Sequence, residues 1–350
     1  KKNYKKFINL IKNIFKNKTV LVTGGTGSIG SYVVNELLKK NCKIIRVLSN
    51  DENGLYNSSQ NLSNNSKINF FEAMKNNKIR FIYGDITDYK RMLTATENID
   101  YVIHAAAMKH VPICEYNPFE ATKVNVLGTE NLIRASIQND ISKFILISTD
   151  KVVDPTTVLG STKLLAEKIV INSNLNKGKN KTIFSVVRFG NVIGTRGSVL
   201  PKFINQAKQN NNLTVTDKLS TRFFVTVDKA VNAILLSLEK MEGGEIFIPK
   251  TINSLNIYDL AHAISKNYKN NKKIKIIGLR GGEKIHEKIL TKLEFLKLKI
   301  YKDLYLIDNF GNHKIPNVKN MINHFYSDKA KILSKDNIIK YLIKNNLLKT

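Results

Sequence analysis

The short β-branched run Thr19-Val20-Leu21-Val22-Thr23 leads directly into Gly24-Gly25-Thr26-Gly27-Ser28-Ile29-Gly30. A helical pattern follows, with Ile29, Val33, Val34, Leu37 and Leu38 on one face, and then a second apolar run from Lys43 to Leu48. Few folds accommodate strand, glycine loop, helix and strand in that order. Gly24 permits a tight turn, Gly27 lets backbone N–H groups approach an anion, and Gly30 lets the helix close on the strand. With Thr26, Ser28 and Ile29 they form a cradle at a helix N-terminus, where the peptide dipoles favour a pyrophosphate. The expectation is a dinucleotide site.

Further apolar runs at Ile79 to Tyr83, Tyr101 to Ile103, Phe144 to Ile147 and Ile183 to Val187 alternate with helical patterns. Strands that alternate with helices make a parallel sheet covered on both faces. The expected fold class is α/β, a Rossmann-type doubly wound parallel sheet with a smaller, less regular C-terminal α/β region whose loops suit a substrate pocket. The dinucleotide domain spans 18–187, with 213–248 returning to it, and 188–212 and 249–350 form the substrate-binding region. The polar run from Asn50 to Lys67 reads as a loop with a short helix.

At 42% hydrophobic and 24% charged, the 350 residues suffice for a large core, and no apolar stretch is long enough to span a membrane. The net charge of +28 is unusual. Its lysines are scattered among Asn and Ile, as in Lys75-Asn76-Asn77-Lys78, without the arginines and stacking aromatics of a nucleic-acid groove. No nucleic-acid partner is expected, although a positive field favours capture of an anionic substrate. Residues 1–17 have the spacing of a basic amphipathic helix, suited to peripheral membrane contact or to packing on its own domain. Cys42 and Cys114 make no disulfide framework and no metal motif, pointing to a reducing, cytoplasmic setting. His104, His110 and His286 fit no helix-face ligand pair, so no metal is expected.

The Gly-x-x-Gly-x-x-Gly spacing resembles that of the extended short-chain dehydrogenase/reductase superfamily. So do Gly84-Asp85-Ile86, the loop His104-Ala105-Ala106-Ala107, and Asn125 in Asn125-Val126-Leu127-Gly128-Thr129. The resemblance implies an NAD(P) cofactor, tightly bound, contacted by Asp85, Ile86, the three alanines, Lys109 and Lys163, with Asn125 in a structural and catalytic role. The second strand ends Ser49-Asn50-Asp51-Glu52. An acid here can accept from a ribose 2′-hydroxyl, whereas an Arg would receive a 2′-phosphate, so Asn50 in the position where relatives often carry Arg weakens the NADP reading without closing it.

Members of that superfamily use a Tyr four residues before Lys163. Leu159 stands there and exchanges no proton. Ser148-Thr149-Asp150-Lys151 offers another pair at the end of a strand: an Asp kept protonated as acid and a Lys kept neutral by burial as base, the requirements of a dehydration. The segment resembles the nucleotide-sugar 4,6-dehydratases of the capsular-polysaccharide type, especially those acting on UDP-N-acetylglucosamine, and the match runs from about Lys18 to Tyr341. It implies that Asn191, Gly197, Ser198, Val199, Pro201 and Lys109 wrap a UDP-sugar, with Thr221, Arg222, Arg280 and Glu283. Arg suits bidentate diphosphate contact, and a carboxylate suits ribose hydroxyls. A water held by Lys163 and Thr149, or the Asp150–Lys151 pair itself, would take the C4 hydroxyl proton. A homo-oligomer is expected. A UDP-hexose 4-epimerase and a non-catalytic NAD(P)- or sugar-nucleotide-binding protein are the alternatives.

Overall fold

The computed structural model describes residues 14–65, 78–250, 253–311 and 319–348. Its strands are β1 (Thr19–Thr23), β2 (Ile44–Ser49), β3 (Ile79–Tyr83), β4 (Tyr101–His104), β5 (Lys143–Thr149), β6 (Ile183–Phe189), β7 (Asn191–Val192), β8 (Thr214–Val215), β9 (Thr221–Val225), β10 (Glu245–Pro249), β11 (Asn253–Asn256), β12 (Lys275–Ile276), β13 (Leu298–Tyr301) and β14 (Leu304–Asp308). All five residues of β1 are buried, as a strand covered by helices on both faces must be.

β1 pairs in parallel with β2 on one side and β4 on the other. The nine-stranded sheet has the order β13-β14-β10-β6-β5-β4-β1-β2-β3, which contains the Rossmann-type doubly wound order expected from the sequence. The winding reverses between β1 and β4, and that reversal opens a crevice beyond their carboxyl ends. The last residue pair of these two strands is Thr23 with His104. The chain therefore delivers the glycine loop and the loop Ala105–Lys109 to the same crevice.

The region boundaries differ from those drawn on the sequence. Helix Val227–Lys240 and β10 do return to the large sheet, but β8 and β9 lie in two small sheets, β12-β8 and β11-β9-β7. The hairpin β13–β14, from the stretch assigned to the substrate region, extends the large sheet antiparallel to β10. Alternating patterns say that a hairpin forms, not which exposed sheet edge it covers. The smaller region has its own core, with Phe203, Phe224, Leu260, Ile264, Ile338 and Leu342 packed among helices Val199–Lys208, Ile257–Asn267 and Lys335–Lys344.

One local reading also changes. The polar run after β2 is a helix over Glu52–Asn65, started by Asp51, whose Oδ1 accepts the Gly54 N–H at 2.8 Å. Its weak apolar stripe hid it. The amphipathic N-terminal segment lies outside the described residues up to 13. At its described end, Phe15 is fully buried, edge-on to the Tyr101 ring at 5.9 Å, and the Tyr101 hydroxyl donates to the Ile14 carbonyl. The chain there packs on its own domain.

Candidate active site

A cavity of about 810 Å³ occupies the crevice, and the glycine loop forms one wall. Gly24 has φ +62, and a Cβ there would come within 2.7 Å of the Ala106 nitrogen. A Cβ on Gly30 would fall 2.2 Å from the Gly24 carbonyl oxygen. Both positions therefore exclude any side chain. The helix Ser28–Leu38 that follows has no side-chain cap and no acid in its first turn, so its leading N–H groups are free to receive an anion. This cradle fits a dinucleotide pyrophosphate.

Gly27, Thr26, Ser28 and Ile29 line the same cavity, as do Ser49, Asn50, Asp51, Asp85, Ile86, Ala105, Ala106, Ala107 and Lys109. Thr26 and Ser49 share a hydroxyl hydrogen bond of 2.8 Å. Asn50 donates to Asp85 Oδ2, and Thr87 donates to Asp85 Oδ1 from both its N–H and its hydroxyl. Burial raises the Asp85 pKa, but those donors outweigh it and hold the carboxyl below its ordinary value. Over the loop lies Arg196, whose guanidinium donates to the Thr26 carbonyl at 2.7 Å, while Lys109 Nζ donates to the Arg196 carbonyl.

The catalytic segment lies at the carboxyl end of β5. Thr149, Lys151, Leu159 and Lys163 all line the cavity. Lys163 Nζ donates to the Ile147 carbonyl at 2.8 Å, and burial lowers its pKa to about 8. Asp150 is fully buried and lines neither cleft. Its Oδ1 accepts from Lys151 Nζ at 2.9 Å and from the Thr149 hydroxyl at 3.0 Å. Lys151 departs from expectation. Burial alone would lower its pKa, but Asp150 and then Glu287 outweigh burial and raise it, so the resting side chain is an ammonium, not a neutral amine. Asn125 is also spoken for: it accepts the Met108 N–H and donates to the Met108 carbonyl and the Thr162 hydroxyl, away from both clefts. It positions the helix bearing Lys163 and touches no cleft.

A second cleft of about 290 Å³ adjoins the first, with Lys109, His110, Lys151, Asn191 and Gly197 shared between them. Ser198, Val199, Arg222, Arg280 and Glu283 line it as expected from the sequence. Pro201 and Thr221 do not; Thr221 is buried, with its hydroxyl bonded to His286 and Ser327. Glu283 is already engaged, since Arg222 Nη2 donates to it at 2.9 Å and the Thr216 hydroxyl at 3.1 Å. Three further charged residues complete the wall: Lys202, Lys284 and Glu287. Lys202 follows Val199 by three residues on one helix, a spacing the sequence displays. Nothing in a lysine-rich stretch distinguishes Glu287.

Four buried polar atoms around the clefts have no hydrogen-bond partner among the described residues: Ser148 Oγ, Asp150 Oδ2, Ser198 Oγ and Glu287 Oε2. Buried polar groups are ordinarily satisfied, so orphans gathered at one place mark a site shaped for a ligand. Among the described residues no group of three His, Cys, Asp or Glu could hold a metal ion.

A family model described as polysaccharide biosynthesis protein matches residues 20–309. The chain belongs to that family. A Methanocaldococcus jannaschii protein named as an uncharacterized membrane protein is 44% identical over 95% of this chain and 97% of its own. The UDP-N-acetylglucosamine 4,6-dehydratase (inverting) of Campylobacter jejuni is 42% identical over 79% of each chain. A Rickettsia bellii protein named UDP-glucose 4-epimerase is 39% identical over 85% of each. The X-ray structure of Pen from Bacillus thuringiensis superposes with a TM-score of 0.87 at 36% identity, covering 96% of this chain and 99% of that one. No helix among the described residues is long and apolar enough to cross a membrane.

Proposed function

We propose that the chain is a nucleotide-sugar 4,6-dehydratase that converts UDP-N-acetylglucosamine to a UDP-4-keto-6-deoxy-hexosamine, a building block for surface polysaccharide or glycan. The observation that carries this reading is the Asp150–Lys151 pair, whose Lys151 lines both clefts while Asp150 is buried behind them, with inert Leu159 where a Tyr would otherwise serve. The similarity to the Campylobacter jejuni dehydratase supports it. A nicotinamide dinucleotide, held in the larger cleft by the glycine loop, Asp85 and Lys163, would supply reversible hydride transfer between C4 and C6. The cationic second cleft, with Arg280, Lys202 and Lys284, suits the diphosphate of the sugar-nucleotide.

The protein's own residues handle the protons. From the resting ion pair, Lys151 passes a proton to Asp150, leaving an amine beside C5 and an acid for C6. Once C4 is a ketone, the C5 proton is acidic enough for the Lys151 amine to remove. Asp150 then protonates the departing C6 hydroxyl, and Lys151 returns a proton to C5. The proton lost from the C4 hydroxyl passes to the water that Lys163 and Thr149 would hold and from there restores the Lys151 ammonium, so the sugar loses one water and the ion pair is regenerated.

The similarity to proteins named UDP-glucose 4-epimerase favours a second reading, epimerisation, which needs oxidation at C4 but no acid at C6. NMR of the purified protein with UDP-N-acetylglucosamine in deuterated water separates the two. Dehydration gives a 4-keto-6-deoxy product with deuterium at C5, epimerisation gives an isomer of unchanged mass, and no turnover overturns both. Asp150→Asn should keep C5 exchange while water elimination falls by about 10²-fold or more, the scale of general acid catalysis. Lys151→Met should lose the exchange as well.

A further inference from the structure

Asp150 faces a difficulty as an acid: its carboxyl is wholly enclosed and lines neither cleft, and its hydrogen-bond partner Lys151 lines both. Lys151 Nζ lies 2.9 Å from Asp150 Oδ1, 3.4 Å from Asn191 Oδ1 and 3.9 Å from Glu287 Oε1. Two carboxylates therefore face one ammonium from opposite elements, Asp150 from the end of β5 and Glu287 from the loop that follows Arg280–Lys284.

Glu287 is itself held rigidly. Its N–H donates to the Ser327 hydroxyl at 2.8 Å, and the Ser327 N–H donates back to its carbonyl at 2.9 Å. Ser327 is fully enclosed and tied to Thr221 and Ser254. The Glu287 side chain is only 5% exposed, its Oε2 has no hydrogen bond, and Lys284 approaches that oxygen no closer than 3.8 Å. A buried carboxylate with an unused oxygen is costly unless a cation or donor reaches it in some state of the site.

We propose that Glu287 is a positioning residue, the second anchor of a Lys151 that occupies two positions. In the first position the ammonium covers Asp150. In the second it moves toward Glu287 and Asn191, and the Asp150 carboxyl then opens onto the cleft where an acid is needed at C6. The other carboxylate on that wall, Glu283, is already engaged by Arg222 and Thr216, and the nearby charges Arg222 and Lys284 are both cations. The inference rests on the dehydratase reading for its chemistry but not for its electrostatics.

The test is Glu287→Gln, which keeps shape and removes charge, with Glu287→Asp as the conservative variant and as the replacement should the Gln protein not fold. With UDP-N-acetylglucosamine, kcat for water elimination should fall roughly 10- to 100-fold, within the usual range for proton-transfer groups. KM should stay within about twofold and C5 deuterium exchange should persist, because Arg280 and the Lys151 amine are untouched. Glu287→Asp should recover part of kcat. Independently of substrate, NMR titration of ε-13C-lysine-labelled protein, with the Lys151 signal assigned through Lys151→Arg, reads the coupling. Asp150, Glu287, Arg222 and Lys284 are the charges that act on these two groups. Losing the Glu287 charge should move the Lys151 titration to lower pH by about half a unit or more. An unmoved Lys151 titration, or wild-type kcat in Glu287→Gln, overturns the proposal. A wild-type protein that eliminates no water sinks the dehydratase reading instead, and the titration alone then decides whether Glu287 anchors Lys151.

Discussion

His104 closes β4 with its ring wholly enclosed, and its neighbours dictate its tautomer. The Thr129 hydroxyl donates to the Asn125 carbonyl at 2.7 Å, so it accepts from ring Nε2 at 3.0 Å. Nδ1 then accepts from the Thr23 hydroxyl at 2.7 Å. Burial, and after it the nearby Lys163, push this pKa down to about 3, whereas the unfolded chain titrates near the ordinary 6.5. A depressed folded value means stability that is complete above 6.5 and lost as pH falls toward 3. Urea unfolding should therefore show about 2 kcal/mol less stability at pH 5 than at pH 7.5 from this residue. His104→Gln should lack that share of the drop; an equal slope in both proteins would assign it elsewhere. Arg280 acts at the opposite extreme of burial. Its exposed guanidinium borders the second cleft, and Arg280→Ala should weaken nucleotide-sugar binding by roughly 1.5 to 3 kcal/mol, the scale of a charge-assisted hydrogen bond, with cofactor binding unchanged by calorimetry.

Between elements, one buried cluster ties the dinucleotide half to the loop that bears Glu287. Arg188 on β6 uses all five of its donors: two to Glu167 of helix Val158–Asn176, two to Glu294 of the turn Lys292–Phe295, and one to the Ile289 carbonyl. Its side chain and that of Glu167 are each 1% exposed. Such a cluster contributes little against a well-packed apolar substitute, but removing one partner strands the others. Arg188→Met should cost roughly 3 to 5 kcal/mol in chemical denaturation, and adding Glu167→Leu with Glu294→Leu should restore most of it. If the single variant is as stable as wild type, the cluster holds nothing together. The capping box at Thr291 and Glu294 explains how that turn keeps its carboxylate aimed inward.

At the scale of the molecule, an apolar surface is left over. Tyr116 and Phe119 are 87% and 86% exposed on consecutive helices, and Leu127 and Leu165 are exposed on the elements packed beside them. Isolated apolar residues on a surface are ordinary, whereas a group of this kind is suited to burial between copies. Sedimentation at micromolar concentration should show an oligomer, and Phe119→Asp should shift it toward monomer. A wild type that sediments only as a monomer would remove this surface from consideration. The +28 charge adds long-range repulsion between copies, so added salt should strengthen association.

Local chemistry was legible in the sequence wherever one residue type alone can serve. Gly24 and Gly30 are confined by atoms within 3 Å, so no other residue fits, and their spacing announced the cradle. β1 was equally plain, because a strand buried on both faces has to be continuously apolar. The pair Asp150–Lys151 could be read as a candidate site because it is adjacent in the chain. What stayed hidden depends on approach between distant segments. The charge on Lys151 is held by the adjacent Asp150 and then by Glu287, 136 residues away in the chain, a partner that no local pattern shows. Thr221 and Asn125 left the list of cleft residues for the same reason, since their partners were buried neighbours that no local pattern names. Periodicity encodes which face of an element is buried; which charges meet there is decided only when the elements pack, because electrostatic energy depends on distance in space and not along the chain.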